Sequence, residues 1–176
     1  MRIGFRFLIK TIALPLAVIL CFAASAAGPV IAPGEYLDRI FAGAVPESET
    51  VWMSGETTAI ATKILGHKPD FLRLRYWRKD AMTVWVIDEI GKTEPITFGL
   101  VIEDDVIKSA EVLAFRESRG WEIQHEFFLN QFQGIALDSD RNLDRPIDGI
   151  SGATLSVRAI TRVSRLVLYL SQTLSS

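Results

Sequence analysis

Between Phe71 and Phe115 the chain passes through strand-length apolar segments joined by turns short enough for hairpins, and this narrows the fold more than any other feature. Phe71–Trp77 alternates apolar Leu72, Leu74 and Tyr76 with Arg73 and Arg75. Met82–Ile90 and Pro95–Ile102 carry the Val, Ile, Trp and Phe expected of strands, with Gly91-Lys92 marking a turn between them. Val101-Ile102-Glu103-Asp104-Asp105-Val106-Ile107 is apolar on both sides of an acidic centre, the pattern of a hairpin with a solvated tip. Its second strand continues from Lys108 to Phe115. The adjacent carboxylates also admit a metal or acid/base reading. The turn is the better account, because catalytic carboxylates face each other across a cleft and do not crowd a hairpin tip.

Helical periodicity frames this β-rich centre. Glu35–Ala44 places Tyr36, Leu37, Ile40 and Phe41 at helical spacing, and Thr57–Leu65 places Ile60 and Ile64 four apart before Gly66 and Pro69 end the run. Val51-Trp52-Met53, between them, is either a short strand or a buried loop. Glu122–Phe132 reads as a helix with Ile123, Phe127, Phe128 and Phe132 on its apolar stripe and His125 on its polar side. The final helix, from Gly152 to about Leu170, sets Val157, Ile160, Val163, Val167 and Leu170 on one face and Arg158, Arg162 and Arg165 on another. The expected architecture is a single α+β domain: a mostly antiparallel sheet of hairpins with flanking helices and a long C-terminal helix.

The N-terminus has a different character. Arg2, Arg6 and Lys10 precede an apolar run from Thr11 to Ala24, and Ala24-Ser25-Ala26 supplies the small residues of a signal-peptidase site. Residues 1–26 are read as a signal peptide, 27–34 as a small linker containing Pro and Gly, and 35–176 as the domain. An uncleaved anchor is the alternative, since the uncharged run from Thr11 to Ala27 is just long enough. Either way the domain is expected outside the cytoplasm, in the periplasm. Cys21 is the only cysteine, so the mature domain would hold neither a disulfide nor a thiol nucleophile. Removing residues 1–26 takes away three positive charges and no negative ones, leaving 16 Lys+Arg against 21 Asp+Glu, a net charge of −5. Nucleic acid is a poor partner for that balance.

The stretch richest in chemistry is Asp148-Gly149-Ile150-Ser151-Gly152-Ala153-Thr154, at the mouth of the final helix. Ser151 is a favoured N-cap type, and the backbone N–H groups that open a helix attract an anion such as phosphate. Gly149 and Gly152 allow close approach to the backbone, and Thr154 offers a hydroxyl beside the same anion site. Alone, Ser-Gly-Ala-Thr is better read as a plain helix cap and first turn. With its leading Asp148, the motif resembles the acceptor motif of the FMN-binding domain family, whose members include flavin-carrying components of the sodium-translocating NADH:quinone reductase and of the Rnf complex. The resemblance spans roughly Phe71 to Leu170. It implies that Thr154 carries FMN through a phosphoester bond, installed by a flavin transferase that uses FAD as donor, with Asp148 among the residues the transferase recognises. In that family a Glu-x-x-Gly element lies against the flavin, and Glu117-Ser118-Arg119-Gly120 matches its spacing, though it departs from the better-known Glu-Thr-Pro-Gly form. Trp121, just beyond, is a candidate either for the core or for covering the isoalloxazine ring. Arg116 and Arg119 are candidates for a phosphate or for plain solvation of the loop.

The resemblance thus implies an exported flavoprotein electron carrier, a redox subunit more than a free-standing enzyme, exchanging electrons with a membrane redox partner protein. The competing readings are an exported module that holds a phosphate-bearing ligand without a covalent bond, and a structural domain with no ligand. Mere phosphate capture calls for neither Asp148 nor Thr154. Other metal and cofactor chemistry finds little support. His67 and His125 without a domain cysteine make no zinc or haem set. Asp138, Asp140, Asn142 and Asp144 have the alternate spacing of a calcium loop, but Leu143 stands where its Gly belongs and Gly149 where its closing Glu belongs.

Overall fold

The computed structural model describes residues 30–175. The expected signal peptide, Cys21 and the first residues of the expected linker lie outside the described residues. Five strands form one antiparallel meander in chain order: β1 (Ser48–Trp52), β2 (Arg73–Lys79), β3 (Met82–Ile90), β4 (Pro95–Glu103) and β5 (Val106–Ala114). The acidic tip is the turn its composition suggests. Asp104 and Asp105 take φ of 52° and 62°, a left-handed pair that Asp tolerates better than branched residues do. Val51 and Trp52 belong to β1, an edge strand, which settles the choice between strand and buried loop.

Alternation divides the sheet into two faces. Leu74, Tyr76, Trp85, Ile87, Phe98, Leu100, Ile102 and Val112 point inward and share the main core with α2 (Gly55–Leu65) and the long α4 (Thr154–Ser175). Val84, Val101 and Leu113 point outward and are covered by Tyr36, Leu37 and Phe41, from α1 (Pro33–Ile40) and its C-cap. Pro33 opens α1 at a position where its missing N–H costs no helical bond. The Ile31 N–H donates to the Leu113 carbonyl at 2.8 Å, so the last residues of the expected linker are already part of the fold. Ser54 caps α2 by accepting the Thr57 N–H, and Gly66 ends it in the left-handed conformation.

The mid-chain helix is not continuous. Trp121–Gln124 is a 3₁₀ turn, α3 covers only Glu126–Leu129, and a second 3₁₀ turn follows at Asn130–Phe132. His125 breaks the run with extended backbone (φ −74°, ψ 140°), which shifts the phase of everything after it. Ile123, Phe128 and Phe132 are therefore buried while Phe127 is 68% exposed, against the single stripe read from the sequence.

The predicted apolar face of α4 is buried, but the buried arc is wider than that stripe: Ala159, Ser164, Leu166 and Leu168 are fully enclosed too. Both the sheet and α2 press on this helix, so its C-terminal half has little surface left for water. No helix among the described residues is long and apolar enough to cross a membrane.

Candidate functional site

Gly152 takes φ +84°, and the Ala153 N–H donates to the Ile150 carbonyl at 3.0 Å, making a tight turn that delivers the chain into α4. The Ala153 carbonyl accepts the Val157 N–H at 2.9 Å, the first bond of the helix. The N–H groups of Thr154, Leu155 and Ser156 therefore precede any intrahelical acceptor and carry the positive end of the helix dipole. Ala153 occupies the capping position and is buried, so Ser151, expected as the N-cap, stands two residues too early and is exposed. Thr154 is exposed as the first residue of α4.

A cleft of about 530 Å³ opens at this helix start. Gly152, Ala153, Thr154, Leu155 and Ser156 line one side, and Lys92, Glu117, Ser118 and Arg119 line the other. The exposed Lys92 and Arg119 add two cations to the partial positive charge of the helix end. Gly120 holds the two sides together: its φ is +90°, and a Cβ there would stand 2.6 Å from Ser156 Oγ and 3.5 Å from the Ala153 backbone. Only glycine fits that conformation and that gap without strain.

Glu117 is buried and turned toward the β3–β4 turn. Its Oε1 accepts the N–H groups of Lys92, of Thr93 at 2.6 Å and of Glu94 at 2.9 Å, and Oε2 accepts the Thr93 hydroxyl at 3.2 Å. Burial alone would raise its pKa, but the backbone donors of Glu94, Thr93 and Lys92, joined by the Thr93 hydroxyl, outweigh it and hold the carboxyl below its ordinary value. Its carboxylate shapes the cleft wall by fixing the turn that carries Lys92.

Of the residues singled out in the sequence, Glu117, Gly152, Ala153 and Thr154 meet in the cleft, with Gly120 directly behind. Asp148, Gly149 and Ser151 lie on the exposed loop leading into it. The Asp148 N–H is fixed by Gln131 Oε1 at 2.7 Å, which leaves its side chain toward solvent. Arg116 is not in the cleft: its Nη1 donates to the Pro95 carbonyl and to Thr97 Oγ1, both at 3.0 Å. Trp121 is 53% exposed and packs edge-on against His125 at 5.0 Å between ring centroids, so it is not a core residue. Asp138 Oδ1 accepts the N–H groups of Asp140 at 2.9 Å and Asn142 at 2.8 Å, so the acidic loop folds on its own carboxylate. No group of three or more potential metal ligands occurs among the described residues.

Sequence reasoning missed Lys92 and Ser156 as parts of the site. Gly91-Lys92 is legible as a turn, yet nothing local signals that Glu117, 25 residues on, reaches back to hold it. It also missed an ionic cluster centred on the buried Glu89. Glu89 on β3, with a side chain 4% exposed, pairs with Arg162 of α4 at 2.8 Å and with His67 at 3.0 Å, tying the sheet to α4 and to the end of α2. Arg165, on the same arginine face as Arg162, is engaged as well: its Nε donates to the Arg141 carbonyl at 2.8 Å.

Residues 91–168 match the family model described as FMN-binding domain, a span that holds the whole cleft. No curated protein and no solved structure matches the chain. The match gives FMN as the cofactor, and the cleft suits it. An open helix N-terminus with two nearby cations fits a phosphate, and exposed Leu155 on the same wall, 42% accessible, offers apolar surface to a ring system.

Proposed function

The chain carries an FMN-binding domain, and from that premise we propose that it is an exported electron carrier whose FMN is attached covalently to Thr154. The observation that carries this reading is Thr154 itself: an exposed hydroxyl on the first residue of α4, lining the cleft beside the free N–H groups, Lys92 and Arg119. A phosphate held by that helix end lies next to this hydroxyl, so noncovalent capture and esterification use the same geometry. With FAD as donor, Thr154 Oγ forms a bond to the FMN phosphorus, the pyrophosphate bond breaks, AMP leaves and the hydroxyl proton is released to solvent. Asp148, on the exposed loop six residues earlier, supplies a carboxylate that a flavin transferase can read without entering the cleft.

FMN supplies the redox chemistry when bound, accepting and donating electrons. The chain's own residues do the rest. Lys92, Arg119 and the helix end neutralise the phosphate. Glu117 and Gly120 keep the opposing wall in place, and Leu155 presents an apolar edge. Outside the cytoplasm a bond prevents loss of a cofactor that would otherwise diffuse away, which is consistent with the signal-like residues 1–26. A membrane redox partner protein completes the proposed chain. The test is the intact mass of protein isolated from its exporting cell: a gain equal to one FMN residue is expected on wild type and none on Thr154→Ala. Wild type without the gain, or the variant with it, overturns covalent attachment at this residue.

A further inference from the structure

We infer that the phosphate of FMN serves as the missing N-cap of α4, held by both the hydroxyl and the N–H of Ser156. The inference rests on FMN as the ligand of this cleft and not on a covalent bond to it. Ala153 stands at the capping position with a methyl group where a helix start is normally closed by a side-chain oxygen. Such an oxygen would take the N–H of the second or third helical residue, here Leu155 or Ser156. Among the described residues no oxygen accepts either of them, since the first helical bond runs from the Val157 N–H to the Ala153 carbonyl.

The side chain of Ser156 points the same way. Ser156 is only 4% exposed, yet it lines the cleft, and its hydroxyl makes no hydrogen bond among the described residues. Helical hydroxyls elsewhere in the chain donate to the carbonyl four residues back: Thr161 to Val157 at 2.8 Å, and Thr62 to Thr58 at 2.7 Å. Ser156 makes no such bond, because the residue four places before it is Gly152, in the left-handed turn ahead of the helix. An enclosed donor without a partner destabilises the fold, so a hydroxyl left free at the wall of a cleft marks the place of a ligand oxygen.

Gly120 keeps that hydroxyl open. A Cβ at Gly120 would stand 2.6 Å from Ser156 Oγ, so any side chain there would crowd the oxygen. Helical N–H groups point back toward the helix start, so those of Thr154, Leu155 and Ser156 emerge together, with the Ser156 hydroxyl beside them. Lys92 and Arg119 line the facing wall. A phosphate presents enough oxygens to meet the hydroxyl, the free N–H groups and the two cations at once. Riboflavin, which lacks the phosphate, offers nothing to this set of donors.

The test titrates the full chain, produced without a flavin transferase, with FMN and with riboflavin. Wild type is expected to bind FMN roughly a hundredfold or more tightly than riboflavin, and Ser156→Ala to lose roughly tenfold of that preference with riboflavin binding unchanged. The phosphorus-31 resonance of bound FMN should shift in the same variant. Ala153→Ser tests the cap from the other side: it places a capping oxygen in the chain, so the Tm of the flavin-free protein should rise while the preference for FMN falls. Should Ser156→Ala fail to fold, Ala153→Ser carries the test alone. Equal affinity of wild type for the two flavins, or a preference unchanged in the variant measured, overturns the inference. Covalent attachment is read separately by intact mass. A chain that prefers FMN but gains no mass keeps the phosphate cap and loses the Thr154 bond, and a chain that gains mass without the preference does the reverse.

Discussion

Thr93 gives Glu117 two hydrogen bonds, its backbone N–H at 2.6 Å and its hydroxyl at 3.2 Å, and so fastens the β3–β4 turn to the loop opposite Thr154. Glu117→Ala leaves several turn donors without their acceptor and should cost about 2 kcal/mol in denaturant unfolding. Because folding lowers the Glu117 pKa, its stabilisation is present above the ordinary carboxylate value and lost as pH falls through the folded one. Glu117→Gln should flatten that part of the acid-unfolding profile. An unchanged profile would show that the clamp contributes nothing.

Gly120→Val meets two obstacles: a positive φ that branched residues avoid, and Ser156 Oγ where its Cβ must go. The family resemblance, which sets the Glu-x-x-Gly element against the flavin, would by itself suggest a change confined to the cofactor. The geometry instead predicts a loss of about 3 kcal/mol or more. Gly120→Ala in a Ser156→Ala background removes the close contact but keeps the φ strain, so it should recover part of the loss. Equal Tm values for the two glycine variants would dismiss the contact as the cause.

Thr154→Ala removes a small exposed side chain from a first helical turn and should cost no more than about 1 kcal/mol, so its failure to gain mass would report chemistry and not unfolding. Thr154→Ser keeps a hydroxyl and should retain partial modification. Asp148→Ala should lower the modified fraction with unchanged stability, since its exposed carboxylate supports nothing in the fold. The measurement is intact mass beside a melting curve for each variant, co-expressed with a flavin transferase and exported.

His67 is held by Glu89 and by the Lys68 carbonyl, and both raise its pKa. A raised folded-state value means that its contribution is fully present below the unfolded value of about 6.5 and fades as pH rises through the folded one. Wild-type Tm should therefore fall over that window relative to His67→Gln. Parallel curves would show that the His67 charge does not couple to folding.

Trp121 is exposed and follows Gly120 in the chain but does not line the cleft, so only a flavin ring that extends out of the cleft would meet it. Trp121→Ala should raise the fluorescence of bound flavin by removing an aromatic quencher, while the apo domain keeps its stability. No change in emission would place the ring elsewhere.

The strands, their antiparallel order and the acidic turn were legible because each is set by neighbours in sequence: alternation for the strands, Asp104-Asp105 for the tip. The turn into α4 was legible for the same reason, since Gly152 and Thr154 lie within one helical turn. The apolar spacing of Glu122–Phe132 fits a continuous helix, and only packing against β5 shows that His125 must break it. Glu117 illustrates the limit most clearly. Its sequence marks a polar loop, but its role as a clamp depends on N–H groups more than 20 residues away, brought near by the β4–β5 hairpin. Local sequence determined which segments extend, turn or coil and where the Thr154 hydroxyl stands. The tertiary structure decided what surrounds that hydroxyl, because Lys92, Glu117 and Gly120 reach it only after the sheet has closed on α4, and no short-range periodicity encodes such contacts.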